Sequence, residues 1–293
     1  MRRIRKILFP TRFEPLSYSC LGWVLPLARA GAEEIVFLYV IDRDEVGFVP
    51  YGGFDRKLAD ELREKAKLHF EDWSRIVEER GLRWRAIEEV GNPEAKILEV
   101  AGREGVDLIV TGRQHHHPLD AVYLGGTAME ILRESRVPVL VCKAGEAGEG
   151  CPIDSSPFDH VLLATDFSAE SRAALDFLLG LRAVVGCVSV VHVFEELEEL
   201  EGEAVASREA ELRTGLEGVC AELRTAGLEC DSPLVAGDVE AEVLRIAADG
   251  RCTGIIMGTM GKHGLRELFE GSDSHRVTEG SPIPVVLVPL PKD

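Results

Sequence analysis

One asparagine, Asn92, and one glutamine, Gln114, are all that 293 residues hold of these two amides. Such scarcity matches selection against heat-labile residues, and it matches codon bias equally well. Positive charge is the next shortage. Against 51 aspartates and glutamates stand only 33 lysines and arginines, for a formal charge of −18 at pH 7. A field of that sign repels phosphate backbones and anionic lipid, which argues against nucleic-acid and membrane partners. It also means that any bound nucleotide needs a local positive site. Apolar runs such as residues 35–41 are far too short to span a bilayer. The basic start is followed by a strand-like run, Pro10 and Arg12, not by the apolar region of a signal peptide. The seven cysteines (Cys20, Cys142, Cys151, Cys187, Cys220, Cys230 and Cys252) show no metal-ligand or redox-motif spacing. Scattered free thiols fit a reducing compartment, so a cytoplasmic protein is expected. A Walker loop is missing too, because no G-K-[ST] follows a suitably placed glycine.

What the chain does contain is itself, twice. Residues 7–13 (ILFPTRF) parallel 161–167 (VLLATDF), and 37–40 (FLYV) parallel 190–193 (VVHV). Further on, Gly91 matches Gly237, residues 107–112 match 253–258, and 137–141 match 283–287. From Gly91 onward the offset is a constant 146; before Val40 it is 153 or 154. The first copy therefore carries a net insertion of seven or eight residues between Val40 and Gly91, and residues 46–54 read as a loop. Unrelated segments do not hold one register over five blocks, so the chain is a duplication. We expect domains at 1–145 and 156–293, joined by a Gly-, Ser- and Pro-rich linker near 145–157.

Each copy alternates short apolar runs with amphipathic helical stretches. In the first copy the strands are expected at 6–9, 34–41, 83–90 and up to Thr111, with helices near 17–30 and 55–80. In the second, the strands are 160–164, 187–194, 229–235 and up to Met257, with helices near 169–184 and 203–226. Short helices follow Asn92 and Asp238, both suited to capping. Continuous apolar strands between helices predict parallel sheets covered on both faces. The last strand of each copy contains Pro138 or Pro284, which cannot donate to a ladder, and so belongs at an edge. If the two edges met antiparallel across a pseudo-two-fold axis, both would be hidden within one chain, a pseudo-dimer. A homodimer through other faces stays open.

After its fourth strand the second copy reads Gly258-Thr259-Met260-Gly261, nine residues, then Gly271-Ser272: G-x-x-G-x9-G-S. Glycines let main-chain N–H groups approach phosphate oxygens, and the start of a helix offers unsatisfied N–H groups. Ser272 adds a hydroxyl, while Lys262 and His263 can supply charge. In open α/β sheets ligands bind beyond the carboxyl ends of the strands. Ala164, Thr165 and Asp166 end the first strand at that edge, and Val193 ends the second. Asp166 can accept from ribose or base. Val193 can offer backbone groups and an apolar wall. Taken singly these features are commoner as turn glycines and helix-starting acids; their convergence on one edge favours a site.

These segments resemble the universal stress protein family: VLLATDFS at 161–168, GTMG at 258–261, GS at 271–272 and PIPVVLVP at 282–289. The resemblance covers nearly the whole chain, as a tandem two-domain member. It implies two doubly wound α/β domains, each a five-stranded parallel sheet with helices on both faces, like the adenine nucleotide alpha hydrolases. It implies dimerisation through the last strand and an adenine nucleotide, ATP or else AMP or ADP. The contacts it implies are Ala164, Thr165, Asp166, Val193, Gly258, Gly261, Lys262, His263, Gly271 and Ser272. Asp273 departs from the pattern, since a carboxylate beside a γ-phosphate repels it unless a divalent cation such as Mg²⁺ intervenes.

The first copy has lost this motif. Arg12 replaces Asp166, His115 the second glycine and Gly126 the serine. Weak or no ATP binding is expected there. The run His115-His116-His117 invites a metal reading, and Arg12 and Arg113 an anion, but pairing with acids such as Glu14 or Asp120 is the simpler reading. No general base or paired metal carboxylates are evident, so a binding and signalling role is expected rather than strong catalysis. The enzymatic alternative is a slow ATP hydrolase or nucleotidyl transferase using Asp166, Asp273 and His263. A purely structural or interaction role is the third reading.

Overall fold

A computed structural model describes residues 3–13, 15–43, 45–49, 53–112, 126–143, 156–194, 203–259 and 272–291. The expected linker and acidic run (195–203), for the most part, and His115 to His117, Glu14 and Asp120, lie outside them. The first copy runs β1 (Lys6–Pro10), α1 (Pro15–Val24), a 3-10 turn (Leu25–Ala30), β2 (Glu34–Asp42), β3 (Phe48–Val49), β4 (Gly53–Phe54), α2 (Arg56–Glu79), β5 (Arg83–Gly91), α3 (Pro93–Glu104), β6 (Leu108–Gly112), α4 (Gly126–Glu134) and β7 (Val139–Cys142). The second runs β8 (His160–Ala164), α5 (Ala169–Gly180), β9 (Cys187–Phe194), α6 (Glu203–Thr225), β10 (Glu229–Asp231), β11 (Leu234–Ala236), α7 (Val239–Asp249), β12 (Gly254–Gly258), α8 (Asp273–Gly280) and β13 (Val285–Val288).

The caps behave as their chemistry requires. Asn92 accepts from the Ala95 N–H and Asp238 from the Ala241 N–H, while Asp55 opens α2. The insertion is not all loop, since β3 and β4 pair as a two-residue hairpin. Its Val46 is buried against Ile41 and Ala59. The third strand of the second copy is broken into β10 and β11, both parallel to β9. Between them stands Pro233, which has no N–H for the ladder.

Each copy forms a parallel sheet in the order third, second, first, fourth, fifth strand: β5-β2-β1-β6-β7 and β10/β11-β9-β8-β12-β13. The last strands begin one residue after Pro138 and Pro284, whose carbonyls accept from Ile109 and Ile255. Each is thus the edge of its own copy, and the two edges join. β13 pairs antiparallel with β7 as Val285↔Val141, Val286↔Leu140 and Leu287↔Val139. Leu140 and Val286 are equivalent by the repeat, so the pseudo-two-fold axis passes between them. One continuous sheet results, with apolar cores on both faces drawn from both copies. Among the described residues no helix is long and apolar enough to cross a membrane.

One sequence expectation fails outright. Cys220, in α6, and Cys230, in β10, are joined by a disulfide, with Cα atoms 5.6 Å apart. The helix-turn-strand return brings together positions ten residues apart, a spacing that follows no short motif. Cys20, Cys142, Cys187 and Cys252 are free thiols, so only part of the support for a reducing compartment survives.

Candidate functional site

The strand order reverses at β8, which lies between β9 and β12. Beyond a strand end at such a point the flanking loops diverge and leave a crevice. Ala164 ends β8 and is buried; the Thr165 N–H extends the pairing by donating to the Val191 carbonyl at 2.9 Å. The Thr165 carbonyl accepts from His192 Nδ1 at 2.7 Å. Since Val191 turns its carbonyl toward β8, Val193 presents its main chain to the same side, above the end of β8. Its other flank is registered with Val235 of β11.

The turn after β8 is built alike in both copies. Phe13 and Phe167 hold left-handed conformations, φ 60° and 59°. Each N–H donates to the hydroxyl of the preceding Thr11 or Thr165. Such a φ costs a non-glycine residue about 1–2 kcal/mol. Ring packing opposes that cost: Phe13 lies 5.4 Å from Tyr39, and Phe167 lies 4.8 Å from His192, the equivalent position.

Asp166 follows Thr165 and is half-buried. Its Oδ1 accepts from the Ser168 N–H at 3.0 Å and from the Ser168 hydroxyl. Burial pushes the carboxyl upward, but these hydrogen bonds outweigh it and hold the group below the usual aspartate range. Asp166 is not a free helix-starting acid, because Ser168 is the N-cap of α5.

Gly258 ends β12 against the first turn of α5. A Cβ there would lie 2.7 Å from Glu170 Cβ and 2.8 Å from its carbonyl carbon. Helix packing alone thus demands this glycine. The loop beyond it contains Gly261, Lys262, His263 and Gly271, all outside the described residues. Its two ends are described. The Thr259 N–H donates to the Val288 carbonyl, and the Thr259 carbonyl accepts from the Ser274 hydroxyl. Ser272 caps α8, its hydroxyl accepting from the His275 N–H at 3.3 Å. Thr259 and the first turn of α8 are therefore held together beside the tip of β12.

The Asp273 carboxylate has a partner that the sequence reading passed over. Arg276 donates to it and, at 3.0 Å, to Asp238 at the start of α7. The i, i+3 spacing of Asp273 and Arg276 on one helix was a legible signal. In the first copy the equivalents of Arg276 and Ser274 are Glu130 and Ala128, which can make neither contact. There, Arg12 pairs with Glu45 of the insertion; Glu14 and Asp120 lie outside the described residues. Among the described residues no cluster of His, Cys, Asp and Glu is arranged to hold a metal ion.

A model of the Universal stress protein family matches residues 3–143 and, separately, 157–289. The chain belongs to the universal stress protein family. It is 31% identical over 153 residues to the universal stress protein MJ0577 of Methanocaldococcus jannaschii, a match to 47% of this chain and 94% of that protein. A second protein of that organism, MJ0531, is 26% identical over 139 residues, 47% of this chain and 82% of its own. At full length the fold resembles the crystal structure of a universal stress protein from Archaeoglobus fulgidus DSM 4304. The TM-score is 0.72 at 25% identity, covering 98% of this chain and 97% of that one. As a universal stress protein with two copies of the fold in one chain, it pairs the last strands of the two copies with each other.

Proposed function

We propose that this universal stress protein binds one adenine nucleotide, in its second domain, as a stress-response or signalling module without strong catalysis. The observation that carries the reading is the hydrogen bond from Ser274 to the Thr259 carbonyl. It brings the two ends of the glycine-rich segment together at the tip of β12, beside the end of β8. Gly258, Gly261 and Gly271 then let backbone N–H groups meet phosphate, and the Ser272 end of α8 adds its N–H groups and partial positive charge. Lys262 and His263 supply the local positive charge that an acidic chain otherwise lacks. Asp166, kept ionised by Ser168, accepts from ribose hydroxyls. Ala164, Thr165 and the Val193 main chain flank the base.

Arg276 bears on the choice of nucleotide. By pairing with Asp273 it lowers the repulsion that this carboxylate imposes on a γ-phosphate, so ATP is accepted beside AMP and ADP, with Mg²⁺ adding to the offset. The same pairing removes Asp273 as a free base, which disfavours the hydrolase alternative. The repeat and the composition of the segment near 145–157 support domain boundaries at 1–145 and 156–293.

The test is mass spectrometry of small molecules released by heating the purified protein. An adenine nucleotide is expected from the wild type and none from Gly261→Val. Equal release from both proteins would refute the assigned loop.

A further inference from the structure

Lys143 follows β7 directly, yet it is only 3% exposed. Its ammonium crosses the seam between the copies. It donates to the carbonyl of Thr278 and, at 3.4 Å, to that of Glu279. Both carbonyls belong to the last turn of α8. A helix leaves its last four carbonyls without intrahelical partners, and together they carry partial negative charge. The Ser281 N–H satisfies Val277, and Lys143 satisfies the next two. A buried ammonium is tolerated only with compensation of this kind.

The contact is not reciprocated. The repeat places Pro289 at the position of Lys143, and proline has no amino group to offer α4. Support therefore runs one way, from the copy that lost the glycine-rich motif to the copy that kept it. The far end of α8 is Ser272, the phosphate end under the proposed function. Eight residues at a rise of about 1.5 Å each make a short rod, so a tilt or fray at one end is carried to the other.

We propose that Lys143 is a positioning residue for the nucleotide site of the opposite copy. By closing the last turn of α8, it fixes the depth and direction at which the first N–H groups of that helix meet phosphate. The inference rests on the nucleotide reading above. It gives the first copy a task, since its terminal strand and lysine form part of the frame that holds the second copy's phosphate helix.

The test is calorimetric titration of the full-length wild type, Lys143→Met and Lys143→Arg with ATP and with adenosine, alongside hydrogen exchange of residues 272–280. Lys143→Met weakens ATP binding by about fivefold or more, the lower end of typical coupling between sites. It leaves adenosine, which lacks phosphate, unchanged, and it speeds exchange in α8. Lys143→Arg, which keeps the donors and charge, retains most of the ATP affinity. Equal losses for ATP and adenosine, or no loss in a folded Lys143→Met, would overturn the role. If Lys143→Met does not fold, Lys143→Gln replaces it with the same ligand-selective expectation. A wild type that binds neither ligand overturns the nucleotide reading, and this role with it; slower exchange in α8 than in Lys143→Met would then leave only the helix contact.

Discussion

Arg276 Nη2 donates to Asp273 Oδ1 at 2.6 Å, one turn along α8, and its other terminal nitrogen reaches Asp238 on α7. The guanidinium thus sits between the N-terminal turns of two helices, each of which brings a carboxylate to it. Hydrogen bonds donated to both carboxylates raise the already high Arg276 pKa. The first copy has Glu130 at this position, so the arrangement is confined to the copy with the glycine-rich motif.

Removing that cation leaves an unpaired carboxylate at the N-terminus of α8, the end proposed to meet phosphate. Arg276→Met is expected to weaken ATP binding two- to fivefold, in keeping with the ~0.2–1 kcal/mol of an exposed ion pair. AMP, with no γ-phosphate, loses less. Adding Asp273→Asn restores ATP affinity. Equal titration curves for wild type and Arg276→Met would show that Asp273 does not face the phosphates.

Asp166 makes stability depend on acid. Its folded pKa lies below that of an unperturbed, unfolded aspartate. The contribution is therefore complete above the unfolded pKa and is lost as pH falls through the folded one. Urea unfolding should show the wild type more stable than Asp166→Asn at pH 7, with the gap closing below about pH 4. A gap that widens in acid would reverse the assigned direction.

Gly258 and Gly112 are equivalent in the repeat but not in their surroundings. A Cβ at Gly258 meets Glu170 Cβ and the Glu170 backbone at 2.7–3.0 Å, whereas at Gly112, among the described residues, it meets the end of the Leu16 side chain, with Cδ2 at 3.3 Å and Cγ at 3.8 Å. Gly258→Ala should cost about 1–3 kcal/mol, as overpacking against backbone does, and Gly112→Ala much less. Chemical denaturation of the two variants compares them directly. For this reason Gly258 is a poor choice for testing nucleotide contacts.

The Cys220–Cys230 bond closes a short ring. Replacing both cysteines by serine, or reducing the wild type, should cost about 2–3 kcal/mol in the chain-entropy view. Thermal unfolding with and without a thiol reductant measures this. An unchanged midpoint would mean that the bond adds nothing to stability.

The parts of this fold that were legible in the sequence are those that repeat. The repeat carried both sheets and the caps at Asn92 and Asp238, and Pro138 and Pro284 marked as edges the two terminal strands that join. Pairings that break the repeat were not legible. Cys220 and Cys230 follow no motif, and Arg12 finds Glu45 only because the insertion folds back as a hairpin. Lys143 meets Thr278 only once β7 and β13 are paired. The break at Pro233 was visible as a residue, but its effect on the strand needed the β9 ladder to show which N–H was missing. At the candidate site, convergence of strand ends followed from topology. The hydroxyl of Ser274 and the packing demand at Gly258 depend on how α8 and α5 seat against β12, which periodicity does not specify.

Under the proposed function, one copy binds an adenine nucleotide and the other does not. Isothermal titration of the full chain with ATP tests it most directly. About one site per chain is expected, lost in Gly261→Val and kept when the first copy's Arg12 is changed to alanine. Two equivalent sites, no binding, or full binding by Gly261→Val would contradict it.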